Sequence, residues 1–485
     1  MSVVRVDVVV LGSGFGGSLL SLILSQIGRQ CALIDRDKHP RFAIGESSTP
    51  LADLVLSDLA KRYNLPDVLP LASFGSWQEE HSALGCGLKR GFSYFHHQEG
   101  RLFATNENNA NQLLVAASSN DHDSDTHWLR ADVDAFLFEQ AQNNGVKCFD
   151  QTTIDSIGRA DRWRIQLRDS ATIIDADVIV DATGSAGELL KRLPISDDTN
   201  LLRTNSRAIF GHFDGVRPFA ELLGDTGPHP YACDNAALHH VLDDGWMWNL
   251  RFTNGVVSAG IATSLPDPNT SPEAQVEQWF TRYPSIAGQF NNAKPITPLR
   301  TTGRLQRLAG TAAGEGWFAL PNTAGFIDPL HSTGIAHTLS AIERIVGMFE
   351  DGMQKDAAAV EHYDNTIRNE IRYVDELVSG CYDSLGSPEH FNAWCMLYFA
   401  SAHSCEMRRV RGERRFENGF LGAGLHQLRE ITQAVREEFD RASDPDQFIA
   451  FVEQAIEPFN EVGLFQPPVP NMYANTAPPR GLSGA

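Results

Sequence analysis

The chain has 485 residues, 42% apolar and 21% charged, which supports a buried core and argues against a disordered chain. Asp and Glu number 61 against 40 Lys and Arg, so the net charge of −21 disfavours nucleic acid and anionic membrane surfaces as partners. At roughly 150 residues per domain, the length predicts two large domains or three smaller ones.

Residues 6–11 (VDVVVL) read as a strand buried on both faces. Gly12-Ser13-Gly14-Phe15-Gly16-Gly17 follows, with G-x-G-x-x-G spacing. Leu20, Ile23, Leu24 and Ile27 then mark one face of a helix that ends at Gly28. Residues 31–34 form a second short strand ending on Asp35. In such a unit Gly12 permits the tight turn, Gly14 lets a pyrophosphate touch the backbone, and Gly17 lets helix and strand pack closely. The helix N-terminus favours phosphate, and Asp35 is placed to accept from ribose hydroxyls. Strand, helix, strand and acid in order predict a dinucleotide site. Asp7 and four glycines interrupt residues 6–27, so neither a signal peptide nor a membrane span is expected there.

Further along, residues 131–145 read as a helix and residues 177–184 (DVIVDATG) as a buried strand with a small-residue turn. Residues 206–213 and 245–261 are strand-rich, and Trp246 and Trp248 share one strand face by period two. Residues 317–339 read as strand, turn and helix. Helical periodicity dominates from 351, and a Pro/Gly-rich tail runs from Phe465. Cys31, Cys86, Cys148, Cys233, Cys381, Cys395 and Cys405 show no metal-ligand spacing and read as reduced thiols of a cytoplasmic protein. His96-His97 and His239-His240 lack a third ligand, so no metal is expected.

A fingerprint followed by a distant ATG and a distant G-F-x-D-P is the discontinuous layout of glutathione-reductase-type FAD domains. With it stand Gly45-Glu46-Ser47-Ser48, Lys89 within residues 87–92 (GLKRGF), Trp246-Met247-Trp248 and residues 326–334 (FIDPLHSTG). In this combination the chain resembles flavin-dependent halogenases of the tryptophan and phenol type, over roughly residues 5–350. The resemblance implies an α/β fold with a Rossmann-like FAD-binding domain, an inserted β-sheet substrate domain and a mainly helical C-terminal region. The expected boundaries are 1–200 for the first FAD-binding part, 201–300 for the insert, 301–350 for the return segment, and 351–485 for the helical region with its flexible tail.

The resemblance also implies roles. Gly12, Ser13, Gly14, Phe15, Gly17, Asp35, Ser47, Ser48, Arg130, Asp328 and Ile335 would bind FAD, and Thr333 and Gly334 would bind chloride or bromide. Lys89, His331 and Ser332 would be catalytic, with Trp246 and Trp248 as a wall on the substrate side. Lys89 stands among glycines and aromatics, where burial favours the neutral amine that could capture hypohalous acid. Two positions depart from the family pattern: Leu250 and Arg251 replace the Ile-Pro of WxWxIP, and His331 stands where tryptophan halogenases have glutamate. The second departure points away from free tryptophan and toward another electron-rich aromatic, phenolic or polyketide- or peptide-derived, free or carrier-bound. Reduced FAD would come from a separate flavin reductase, and a homodimer is one option for an oligomeric state that the sequence leaves open. An FAD hydroxylase of the same fold and a flavin-binding partner without catalysis stay open as alternatives.

Overall fold

The valine-rich start forms the strand Ser2–Leu11 at the centre of an eight-stranded, mostly parallel sheet. This computed structural model describes residues 2–224, 227–264, 270–441 and 444–478. Val8, Val9, Val10 and Leu11 are shielded completely, and each such side chain contributes roughly 1.5–3 kcal/mol of burial. Thr172–Asp181 and Cys31–Ile34 flank this strand in parallel, with Lys147–Phe149 beyond the latter. Trp317–Ala319 pairs in parallel with the end of Thr172–Asp181, so the chain returns to this sheet after a long excursion. Only three residues separate the end of the central strand from the helix Phe15–Gln26, which fixes the fingerprint at the carboxyl edge of the sheet.

The excursion builds a second sheet of nine strands. Its middle runs Arg207–Asp214, Val257–Thr263, Gly245–Arg251, Ala237–Leu242, Gly91–His96, Gln112–Ala116. The insert is therefore not confined to residues 201–300. Gly91–His96 lies parallel to Ala237–Leu242, and only a distant segment can supply a parallel neighbour. The strand carrying Lys89, Cys86–Lys89, pairs with Asp125–Trp128 just before the chain enters this sheet.

Helices Ala357–Asp383 and Pro388–Val410 share one hydrophobic core with the fingerprint sheet. Pro388–Val410 is well specified locally. Ser387 caps it, Pro388 opens it, Glu389 lies in its first turn, and Arg408 and Arg409 lie in its last. The C-terminal segment also departs from expectation. Met472–Tyr473 pairs with Leu114 and Val115, and Thr476 bonds Ala116 O through both N and Oγ1. An open sheet edge recruits this part of the tail, whereas residues 479–485 lie outside the described residues. Among the described residues no helix is long and apolar enough to cross a membrane, and no group of three or more metal-ligating side chains occurs.

Candidate active site

A cavity of about 820 Å³ opens at the carboxyl edge of the parallel sheet, within the range of roughly 300–1,000 Å³ typical of ligand pockets. It runs from Asp35 and Arg41, past Gly12 and Gly14, to Trp246, Trp248 and residues 332–335. At one end Asp35 accepts from Ser13 N (2.7 Å), Ser13 Oγ (2.8 Å) and Asp37 N (2.9 Å). Burial pushes Asp35 up, but the Asp37 and Ser13 N–H groups and Arg41 outweigh it and hold the carboxyl below its ordinary range.

The three glycines divide by what surrounds them. Gly12 has φ +93°, and a Cβ there would stand 2.7 Å from Ala182 O. A Cβ on Gly17 would stand 1.9 Å from Gly12 O. Both positions are closed by the protein itself. A Cβ on Gly14 would meet only the side-chain ends of Arg130, Asp134 and Arg41, at 3.5–3.8 Å. The space beside Gly14 is thus left for something other than protein. The N-cap of the helix that starts there is Gly14 itself, Phe15 N donates to Asp134 Oδ1 (3.1 Å), and Ser47 Oγ is buried on the cavity wall without a partner. An orphaned hydroxyl and an open glycine at a helix start fit a dinucleotide pyrophosphate.

Arg130 is fixed rather than free. It forks onto Asp134 through Nε (2.8 Å) and Nη2 (3.0 Å), bonds the carbonyls of Ile44 and Gly45, and lies 4.8 Å from the Phe15 ring centroid. It lines the cavity beside Gly14, as does Arg41. Arg41 and Asp134 escaped the sequence reading because no local motif marks them. Ser13, Gly17 and Ser48 are not on the cavity wall. Ser13 orients Asp35, Gly17 packs against the Gly12 turn, and Ser48 faces Asp53 and Lys89.

At the other end, Ser332 adopts φ +53° and begins the helix Thr333–Glu350 without a side-chain cap. A non-glycine residue in this region costs roughly 1–3 kcal/mol and aims the first turn of the helix at the cavity. Thr333, Gly334 and Ile335 all line it. Asp328 closes the same end, accepting from Tyr382 OH (2.8 Å), Leu330 N (3.1 Å) and Ser206 Oγ (3.2 Å). Burial raises its carboxyl to about 6 despite those donors.

Trp246 and Trp248 lie on one face of their strand, with ring centroids 5.7 Å apart, and both line the cavity. Trp246 Nε1 donates to Tyr382 OH (3.1 Å), so this wall is tied to Asp328. His239 lines the cavity beside Trp246, while His240 points to the opposite face and bonds His97 (2.8 Å) and Gln289 (2.8 Å). The histidine pairs are thus split between faces, as period two requires.

Thr333 also borders a second, small slot on the far side of the turn, and among the described residues no other lines both spaces. Phe92 lines that slot, and the Lys89 amine sits 4.1 Å from the Phe92 ring centroid. Lys89 is fully buried and donates to Ser48 O. Burial lowers its amine to about 8, although Asp125, Asp53 and Glu406 act to raise it. Between this value and about 10.4 the unfolded chain binds the proton that the folded one has released. The penalty for burying the charge is therefore full below pH 8 and relieved above it. The contribution of this one group to fold stability should rise by roughly 3 kcal/mol from pH 8 to pH 10.4. The urea midpoint of the parent protein should climb across that window relative to that of Lys89→Met, in which the other titrating groups are the same.

His331 does not reach either space. Its ring stacks on Tyr398 at 4.0 Å, and its Nε2 lies 3.7 Å from Cys381 Sγ. The motif places the residue at the turn, but the two helices behind it hold the side chain off the walls of both spaces.

A pyrophosphate-ready fingerprint, an interrupted parallel sheet and an anion-ready helix start under a tryptophan wall define a flavoprotein of the monooxygenase-like class. The sequence family described as tryptophan halogenase matches residues 96–388, more than half of the chain. The chain belongs to that family and is an FAD-dependent enzyme of the halogenase class. It is 27% identical over 423 residues to the monodechloroaminopyrrolnitrin halogenase PrnC of Pseudomonas fluorescens, covering 84% of this chain and 73% of that one. It is 28% identical over 427 residues to the tetracycline 7-halogenase of Kitasatospora aureofaciens, covering 83% and 74%. The crystal structure of halogenase PltM in complex with phloroglucinol and FAD superposes with a TM-score of 0.85 at 22% identity, over 94% of this chain and 97% of that one. That likeness shows the shared fold.

Proposed function

We propose that this enzyme halogenates an electron-rich aromatic compound, with Lys89 as the residue that carries the halogen. The observation that carries the reading is the position of Thr333, which borders both the cofactor cavity and the slot beside Lys89. Bound in reduced form, FAD supplies with O₂ the oxidising equivalents that turn chloride or bromide into hypohalous acid. Thr333 and Gly334, at an uncapped helix start, hold the halide. The tryptophan wall occupies the cavity end where an organic substrate would otherwise compete for the oxidant. Lys89 accepts the halogen: its amine nitrogen bonds the halogen of HOX, and water leaves with the amine proton. The aromatic carbon then takes the halogen and loses its own proton, which restores the amine. A pKa lowered by burial keeps a useful fraction of the amine neutral for the first step.

The substrate class is supported by relatives named for aminopyrrolnitrin-type and tetracycline substrates and by a solved relative bound to phloroglucinol. A relative named as a chlorinase of pyrrole-2-carbonyl on a peptidyl-carrier protein makes carrier-bound substrate a coherent option. Electrons come from a separate flavin reductase, since the chain carries a single dinucleotide fingerprint. Seven free cysteines suit the reducing cytoplasm. Chemically reduced FAD with bromide and O₂ should therefore support turnover without NADPH. Turnover that requires NADPH and no reductase would contradict the two-component reading.

A further inference from the structure

The slot beyond Thr333 lies between the helix Pro388–Val410, the sheet edge and the C-terminal segment. Phe92, Phe399 and Pro50 give it apolar walls, and beside the hydroxyls of Thr49, Thr333, Tyr398 and Thr476 it holds one carboxylate and one imidazole, Glu406 and His403. Both are buried, at 4% and 5% exposure. They stand three residues apart on one helix, so they share a face. Both ring nitrogens of His403 lack a hydrogen-bond partner, with the Thr476 backbone nearby. A buried imidazole without partners in an aromatic slot leaves its ring nitrogens to donate to and accept from a ligand. The cations on this helix are committed elsewhere: Arg409 to Glu343 and Asp58, Arg408 to Glu413. Around Lys89 the nearby charges are acidic, Asp53, Asp125 and Glu406. A substrate carboxylate would therefore face three acidic side chains against the single Lys89 amine.

Building on the halogenase reading, we propose that this slot seats the organic substrate and that Glu406 and His403 select a neutral phenol by its hydroxyl. The hydroxyl donates to Glu406 and accepts from His403, which holds the ring against Phe92 on the Lys89 side. Glu406 thereby supplies the carboxylate that position 331 lacks, from a different element of the fold. As it stands the slot has about 30 Å³, room for one water. Thr476 and Ala477 form one wall, and the ring enters as this segment moves off Ala116.

The test compares bromination of resorcinol with that of its dimethyl ether, in enzyme supplied with reduced FAD, bromide and O₂. A dye that traps free hypobromite reports halide oxidation separately. Glu406→Gln should lower kcat/KM for resorcinol roughly 10- to 100-fold, as expected for one charged hydrogen bond. The ether should change less than about twofold, and bromide oxidation should stay at the parent rate. Equal losses for both compounds would mean a structural role acting through Lys89 and would overturn the proposal. So would a parent enzyme that oxidises bromide yet brominates both equally, or neither. Should Glu406→Gln lose FAD through misfolding, His403→Phe replaces it and should lower the resorcinol-to-ether ratio several-fold. An unchanged ratio there overturns the proposal as well. Absence of bromide oxidation in the parent enzyme is a different result: it removes the halogenase reading, and this proposal falls with it.

Discussion

Lys89→Ala should retain FAD and oxidise bromide at the parent rate, yet lose enzymatic product by at least about 10²- to 10³-fold. The amine lies on the strand Cys86–Lys89, apart from the fingerprint, and it lines neither the cofactor cavity nor its phosphate end. Removing it leaves Gly14, Asp35 and residues 332–335 as they are. What is lost is an acceptor fixed at Ser48 O and over Phe92, beside the slot that Thr333 borders. Fixed orientation of reacting groups accounts for roughly 7–11 kcal/mol in favourable cases, so even partial loss is large. Hypohalous acid should then leave the protein and appear in the trapping dye. Lys89→Arg should fail in the same way, because a guanidinium stays protonated and cannot bond the halogen through a neutral nitrogen. Dye signal and halogenated product, measured together, separate this outcome from simple inactivation.

Gly14→Val should fold normally and bind FAD at least about a hundredfold more weakly, a loss of about 2.7 kcal/mol. A Cβ at Gly14 meets side-chain ends at ordinary contact distance, so the protein accommodates it and the pyrophosphate does not. Gly17→Ala should behave in the opposite sense. Its Cβ would lie 1.9 Å from the Gly12 carbonyl, and the packing of helix on strand should lose roughly 3 kcal/mol or more. Flavin fluorescence after gel filtration and a urea midpoint for each variant distinguish the two. Stoichiometric FAD in Gly14→Val would remove the assignment of the fingerprint.

The fingerprint was legible in the sequence because everything that defines it is local: a strand, a turn, a helix face and an acid within residues 6–35. The return of the chain at residues 317–339 was legible for the same reason, as a second strand-turn-helix. Direction of side chains across the fold was not. His331 occupies a recognisable motif, but Cys381 and Tyr398, 50 and 67 residues later, decide where its ring goes. Arg41 and Asp134 flank Gly14 only after folding brings segments 119 residues apart into contact. The aromatic surroundings of Lys89 were legible, whereas its acidic neighbours come from three separate segments and leave no pattern. The parallel pairing of Gly91–His96 with Ala237–Leu242 was hidden likewise, since a fully buried strand shows no alternation to mark its partner.

The central claim is that oxidising equivalents generated at the cofactor leave this enzyme as a carbon–halogen bond. Mass spectrometry of a neutral phenol incubated with the enzyme, reduced FAD, O₂ and bromide tests it most directly. The account predicts a monobrominated product that disappears when bromide is omitted. A hydroxylated product, formed equally with and without bromide, would contradict it.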